Sequence, residues 1–498
     1  MKFKLSNIIG LLCLAVLGFV LWIYLYKRAY LLPVTHDEVQ TSLTFAQMPV
    51  WRILYYTHPI PNNHIVNTLL VKLCQTIGGI NALNIRLPNL FFYWLYFLSA
   101  CVFARFCSPD WRVKIFAFSA LLLNPYLLDF FSLARGYALS IDFMLAACLS
   151  AYFWLQTGHK RWWIAAIVLS CFSVYSNFTS LHFYMPFFAL LGYSAWERLP
   201  TPRRLPDVLP YWKLLVAGGV VLGMFSIIPL LKITLTKQLR FWETTGFYKD
   251  TLSSLVSMSL YGKSYLFTPE FTAQVVAVLA AILICLMGIA LARNVWQKRL
   301  ILANDSFNFF FWLLLGSILV PCIQFWLLKT PLPTTRTALF YYPLLVLPTV
   351  FFIEKIRLRL RWSVNLLAIP LTALIGCHFV NSANLRYCME WEYDANTKTV
   401  LRYLEKEYLH SQHREPITLE SSWWFHPSFT FHIQSSGIQW LDLKGYHMDS
   451  CPTSDAQFYY ASSEHFLDIS PYYETLIDFD GGKRRLLKKR VGEGLAEE

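Results

Sequence analysis

Eleven apolar runs of about membrane-spanning length constrain the fold of this chain more than any other feature of its sequence. They lie at about 8–26, 87–106, 114–131, 136–156, 162–176, 179–195, 212–231, 273–292, 308–328, 338–353 and 363–380. Of all residues, 56% are hydrophobic and 15% are charged, whereas soluble domains carry about a quarter charged residues. The sequence therefore predicts a multi-pass α-helical membrane protein with about 11 transmembrane helices, and the composition argues against a cytosolic enzyme.

The charge distribution divides the chain into two parts. Residues 1–379 carry a net charge of +19, while residues 380–498 carry a net charge of −6 and hold no further long apolar run. We therefore expect a membrane domain over 1–380 and a small soluble α/β domain over 381–498. Its predicted elements are one helix, Asp394–His410, and the strands Pro416–Glu420, Phe429–Gln434, Gln457–Ala461 and Leu476–Phe479. The basic run Lys483–Arg490 is interpreted as a solvated strand end, and no nucleic-acid partner is expected.

Lysine and arginine concentrate in short connections on one side of the predicted bundle, which places the N-terminus inside the cell. An odd number of spans then places the C-terminal domain outside. Two outer connections are long, about 27–86 and 232–272, and long ordered loops are often functional. In the first, Thr41–Tyr55 and His64–Ile77 have the apolar spacing of amphipathic helices.

Asp37 and Glu38 follow the first apolar run by about ten residues. A carboxylate at the membrane edge can accept a proton from an attacking hydroxyl. Because adjacent helical residues do not share a face, at most one of the two points directly into a given pocket. The alternative is a helix cap with a solvated acid.

Asp129, Arg135 and Tyr137 lie at the second outer turn, and Arg336 ends a proline-rich outer turn. The planar guanidinium of arginine suits a lipid phosphate. Two alternatives remain open here: a structural Asp129–Arg135 ion pair, and an Arg336 side chain that only reaches the membrane interface.

A rigid polar turn in the first outer loop supplies candidate substrate-binding residues: His58, Asn62, Asn63 and His64. The spacing of its histidines does not indicate a metal site, and proline and asparagine turn chemistry is the alternative interpretation. Cys388 and Cys451 could pair if the C-terminal domain faces an oxidising compartment.

These motifs, in this order, resemble the C-type (GT-C) superfamily of membrane glycosyltransferases. The branch most similar is that of protein mannosyltransferases and bacterial aminoarabinose transferases (glycosyltransferase family 39-like). The resemblance is densest over residues 30–145 and is carried by His36-Asp37-Glu38, Pro61-Asn62-Asn63-His64, Ile85-Arg86-Leu87-Pro88, Asn124-Pro125 and Leu133-Ala134-Arg135-Gly136-Tyr137-Ala138-Leu139, with the turn ending in Arg336.

The resemblance implies transfer of a hexosyl or pentosyl group from a polyprenyl-phosphate donor to an acceptor at the outer membrane face, with inversion. Asp37 matches the family's base, with Glu38 and Asp129 as further acids in the outer catalytic loops. Arg135, Tyr137 and Arg336 would hold the donor phosphate, and a divalent metal is possible. The family also suggests a bacterial inner membrane, with the C-terminal domain in the periplasm.

Two other functions remain open at the level of sequence. A transporter or flippase of a lipid-linked or anionic solute would also need many spans, but transporters usually place ionisable residues near the bilayer midplane and often have related halves. The second function that remains open is that of a non-catalytic assembly subunit. The acceptor class, whether protein, lipid or glycan, is not indicated.

Overall fold

The computed structural model describes residues 5–199, 205–238, 244–297, 305–360, 363–411, 415–447, 455–463 and 470–490. Within these ranges, eight helices are long and apolar enough to cross a membrane. They are Leu12–Leu31, Ala82–Phe106, Gly136–Thr157, Leu209–Leu235, Pro269–Trp296, Ser306–Leu328, Thr335–Arg359 and Asn365–Ser382. The predicted fold class is confirmed: a multi-pass helical bundle is followed by a small sheet domain.

The remaining three predicted spans are helical but irregular or short. Residues 114–131, predicted as one span, form two helices, Trp111–Leu122 and Pro125–Phe131, that meet at 55°. The bend has a local cause, because Pro125 has no backbone N–H and the Asn124 side chain instead caps the second helix at Leu127. The other two, Lys160–Ser176 and Leu181–Glu197, have 17 residues each, which is the lower end of the spanning range.

Short helices fill the outer connections. The first loop contains His36–Val39, a π-helical turn Gln40–Phe45, Val50–Leu54 and Ile65–Gly78. The predicted helix 64–77 is therefore present, whereas the predicted helix 41–55 is interrupted before Val50, where Pro49 has extended backbone angles. Other short helices are Phe178–Ser180, Phe247–Leu252, Ser253–Ser259 and Met389–Asn396.

The C-terminal domain is a five-stranded mixed sheet with two helices, Thr397–His410 and His426–Ser436. Its strands are β1 Ile417–Ser422, β2 Leu441–His447, β3 Phe458–Ser462, β4 Tyr473–Phe479 and β5 Arg484–Lys489, in the order β2-β1-β3-β5-β4. The pairs β1–β2 and β1–β3 are parallel, and β5 runs antiparallel to both β3 and β4.

Two predictions for this domain are wrong. Phe429–Gln434 is helical, because Pro427 lies in the first turn of a helix that buries Phe429 and Phe431. The basic run is a strand inside the sheet rather than a solvated end, since β5 buries Leu486 and Leu487 between two neighbours. Cys388 is buried and free, and Cys451 lies outside the described residues.

The connections predicted to share a side meet at the same end of the bundle. At one end, Ser108 donates a hydrogen bond to Glu354, and Asp305 pairs with Lys355. At the other end, the first outer loop contacts both the turn before Gly136 and the C-terminal domain, where the Ser428 hydroxyl donates to the Val34 carbonyl. The bundle therefore brings the predicted outer motifs together.

At this outer end, Gly136 allows the start of its helix to pack closely against Ser176 and His64. A Cβ atom there would overlap the carbonyl oxygen of Ser176 and lie 2.6 Å from the Cβ of His64. We predict that Gly136→Ala destabilises the protein by about 1–3 kcal/mol, the usual cost of overpacking. Gly376→Ala, a helical position with no atom within 4 Å of the added carbon, is the matched control. The thermal unfolding midpoints of the two variants are compared in one detergent. Equal midpoints would show that the packing around Gly136 leaves room for a methyl group.

Candidate active site

A buried ion pair holds the loop that carries Asp37. The first span ends at Leu31, and Glu38 closes the next turn by accepting the Thr35 amide at 2.9 Å. Arg86, near the start of the second span, donates to both Glu38 oxygens, at 2.8 and 2.6 Å. The same guanidinium donates to the carbonyl oxygens of Ala29, Leu32 and Pro33, at the end of the first span.

Glu38 has no free acceptor position for a substrate. Besides Arg86 and Thr35, it accepts the Ala134 amide at 2.6 Å, so each carboxylate oxygen takes two hydrogen bonds. Burial acts to raise the pKa of Glu38, but Arg86 and these amides outweigh it and lower the pKa. This arrangement differs from the expected role at the reacting centre, because both oxygens are already occupied in holding the loop.

Two asparagines fix the turn that presents Arg135. Asn89 donates to the carbonyl oxygens of Leu133 and Arg135, and Asn67 donates to that of Ala134. Together with the Glu38–Ala134 bond, they fix three consecutive backbone positions. The turn is thereby attached to the second span and to the helix Ile65–Gly78.

Asp37 lies between two arginines from distant parts of the chain. Its Oδ2 atom is 3.5 Å from Arg135 Nη2 and 3.3 Å from Arg336 Nη2. That oxygen is itself buried and has no hydrogen-bond partner among the described residues. The Asp37 side chain keeps 12% of its surface exposed. It is thus a carboxylate with an unused acceptor position.

The arginines set the ionisation of Asp37. Burial alone would raise its pKa, but Arg135, Arg336 and His36 outweigh burial and lower the pKa to about 2. Asp37 is therefore ionised at neutral pH. Any anion that binds the two arginines weakens their attraction for Asp37. The affinity of Asp37 for a proton then rises.

Arg135 and Arg336 differ in their freedom to bind a ligand. Arg135 is fully buried and donates to Thr41 Oγ1, to the Asp37 and Asn62 carbonyls and to the Asn62 side chain. Arg336 keeps 31% of its side chain exposed. It pairs with Glu390 at 2.6 Å and lies 5.1 Å from the Trp391 ring centre. Arg336 is therefore the more accessible cation.

The other predicted binding residues divide into two groups. Tyr137 and His64 lie against each other, with ring centres 4.9 Å apart, and the Arg135 guanidinium is 5.8 Å from the Tyr137 ring. Burial and then Arg135 lower the pKa of His64 well below its usual value, so its ring is neutral at pH 7. Among the described residues, the Asn63 side chain bonds to Ile53 and Thr68 of the same loop, and His58 is exposed on the loop surface.

Asp129 belongs to a separate buried network. It pairs with Arg28 at 2.5 Å, rather than with Arg135 as considered from the sequence. It also accepts the Tyr261 hydroxyl at 2.9 Å and the Met389 amide at 2.8 Å. Arg28 in turn donates to the Asn384 and Tyr387 carbonyls. The pair ties the first span to the segment that follows the last span, and its acceptor positions are not free for a substrate.

Sequence reasoning missed several residues of this region. Arg86 lies in the motif Ile85-Arg86-Leu87-Pro88, but the sequence alone assigns it no role, and Arg28 has the position of an ordinary charge at a span end. Glu390 lies directly after the last span, where nothing in its neighbourhood marks it as part of a site.

The acids that could have served as metal ligands each face an arginine: Asp37, Glu38 and Asp129. In the described part of the chain, no group of three or more His, Cys, Asp or Glu side chains is arranged to hold a metal ion.

Two solved structures are similar to this chain over nearly its whole length. One is ArnT from Cupriavidus metallidurans in the apo state, with 97% of this chain and 98% of that chain covered. The other is ArnT from the same organism bound to undecaprenyl phosphate, with 99% and 100% covered. Both have 11% sequence identity and a TM-score of 0.44.

No protein-family model and no curated protein matches the chain. ArnT is an aminoarabinose transferase of the GT-C class. A similarity at this TM-score and identity assigns no activity to this chain, so activity has to be argued from the side chains of the site.

The neighbouring acids Asp37 and Glu38 should respond differently to loss of charge. We predict that Glu38→Gln lowers the free energy of unfolding by about 3 kcal/mol or more, because it leaves the buried Arg86 unpaired. Asp37→Asn should cost less than about 1 kcal/mol, since Arg135 keeps its other acceptors. Unfolding midpoints in one detergent compare the two. A larger loss for Asp37→Asn would contradict this assignment.

Proposed function

We propose that this protein transfers a sugar from a polyprenyl-phosphate donor to an acceptor hydroxyl at the outer face of the membrane, with Asp37 as the general base. The observation that carries the proposal is Asp37, an ionised carboxylate that has one oxygen without a hydrogen-bond partner and lies between two arginines at the mouth of a helical membrane bundle.

The arginines favour a phosphate as the ligand. A fixed guanidinium stabilises the negative charge that develops on a phosphate leaving group. Arg336 is accessible, and Arg135 adds a buried positive charge beside it. The surrounding helices are apolar enough to lie in lipid, which suits a phosphate carried on a long hydrocarbon chain. One of the similar ArnT structures holds undecaprenyl phosphate, a ligand of this class.

The reaction balances as a direct displacement. The acceptor oxygen forms a bond to the anomeric carbon while the bond from that carbon to the phosphate oxygen breaks. The acceptor's proton passes to Asp37, and the electron pair leaves with the polyprenyl phosphate. A single displacement inverts the anomeric carbon. Because the anomeric carbon becomes strongly electron-deficient in such reactions, the attacking hydroxyl becomes acidic and a carboxylate of low pKa suffices as base.

The other acids and the membrane orientation complete the proposal. Glu38 and Asp129 act as positioning residues, since their oxygens hold Arg86 and Arg28. Tyr137 and His64 form the wall beside Arg135. The positive-inside rule places this end of the bundle, with the C-terminal domain, outside the cytoplasm. In a bacterium that compartment is the periplasm.

The first test separates chemistry from binding. Asp37→Asn should reduce transfer by about 10²–10⁴-fold and should bind undecaprenyl phosphate at least as tightly as wild type, since a negative charge beside the arginines is removed. Transfer is measured with a panel of undecaprenyl-phosphate sugars and with envelope lipid, glycan and protein fractions as acceptors. Asp110→Asn, at the opposite end of the bundle, is the matched control. Full activity of Asp37→Asn would exclude Asp37 as the base.

A second test concerns the phosphate cation. Arg336→Ala should weaken undecaprenyl phosphate binding about tenfold or more, because a charge-assisted hydrogen bond contributes roughly 1.5–3 kcal/mol. Arg52→Ala removes an exposed arginine of the first loop and should leave binding unchanged. Equal affinities of the two variants would contradict the assignment of Arg336 to the phosphate.

A further inference from the structure

The segment between the last span and the C-terminal domain crosses the candidate site. We call residues 384–394 the connecting segment. The Asn384 and Tyr387 carbonyls accept hydrogen bonds from Arg28, and the Met389 amide donates to Asp129. At the far end, Asp394 accepts the backbone N–H of His36 at 2.9 Å, one residue before Asp37. The connecting segment is therefore fixed at both ends beside the site.

Glu390 is the acid that this segment places next to Arg336. Its Oε1 atom lies 2.6 Å from Arg336 Nη1 and accepts the Thr335 hydroxyl at 3.2 Å. Its Oε2 atom accepts the hydroxyl of the fully buried Tyr126 at 2.6 Å. Three donors thus orient a carboxylate whose side chain is only 9% exposed.

Arg336 is shared unequally between two acids. Glu390 is 2.6 Å away, whereas Asp37 is 3.3 Å away. An arginine has five N–H donors, so donors remain for a ligand on the exposed part of the side chain. Without Glu390, Asp37 is the carboxylate left beside Arg336 among the ion pairs of the described residues. A close Asp37–Arg336 pair would occupy both the phosphate cation and the base.

We propose that Glu390 is a positioning residue that holds Arg336 away from Asp37, so that the arginine binds the donor phosphate while Asp37 stays free to accept the proton. This inference rests on the proposed function. It also makes the connecting segment part of the transfer machinery.

The test compares Glu390→Gln with Glu392→Gln, two residues further along the same segment. The Glu392 side chain is 37% exposed and lies 3.6 Å from Arg484. Glu390→Gln, measured below its unfolding midpoint, should weaken undecaprenyl phosphate binding about tenfold, whereas Glu392→Gln should bind as wild type does. Tyr126→Phe, which removes one donor to Glu390, should shift binding in the same direction by a smaller factor.

A double-variant cycle shows whether Glu390 acts through Arg336. In an Arg336→Ala background, Glu390→Gln should cause no further loss of undecaprenyl phosphate binding. A further loss there, or wild-type or tighter binding by Glu390→Gln alone, would overturn the inference and leave the proposed function standing. If the wild-type protein does not bind undecaprenyl phosphate, the proposed function fails and the role of Glu390 fails with it. Failure of the role of Glu390 alone is therefore distinguishable from failure of the proposed function.

Discussion

The buried Arg86–Glu38 pair is the interaction on which the rest of the site depends. Arg86 binds the last carbonyls of the first span and both oxygens of Glu38, while Glu38 binds the amide before Arg135. A pair removed from water contributes little net stability unless its remaining hydrogen-bonding positions are filled, and here all four positions on the carboxylate are filled. Asp37 directly precedes Glu38, and Arg135 directly follows Ala134, whose amide Glu38 binds. One ion pair therefore sets the positions of both Asp37 and Arg135.

A second buried pair, Arg28–Asp129, does the same for the other side of the site. It joins the first span to the bent helix Pro125–Phe131 and to the segment that delivers Glu390. Because these two pairs are saturated, a ligand would meet Asp37 and Arg336, whose side chains keep 12% and 31% of their surface exposed. The two sets differ physically: the charges that hold the structure are buried and fully paired, whereas Asp37 and Arg336 are partly exposed and lie 3.3 Å apart.

Much of this arrangement was predictable from the sequence. The apolar runs predict the helices, and the lysine and arginine distribution places Asp37, Arg135 and Arg336 on one side. Which arginine meets which acid was not predictable, because it depends on how each helix is rotated and on the bend at Asn124-Pro125. Asp129 consequently pairs with Arg28 and not with Arg135. Glu390 could not be recognised because its partners, Tyr126, Thr335 and Arg336, are brought together only by the folded bundle.

The most direct test of the account follows the phosphorus atom of the donor. Purified protein reconstituted in lipid vesicles is incubated with an undecaprenyl-phosphate sugar and envelope acceptor fractions, and ³¹P NMR distinguishes the phosphodiester donor from the phosphomonoester product. We predict that the monoester signal grows with the wild-type protein and that the product sugar has the inverted anomeric configuration. Donor that crosses vesicle membranes with its diester intact would contradict the account and identify a transporter instead.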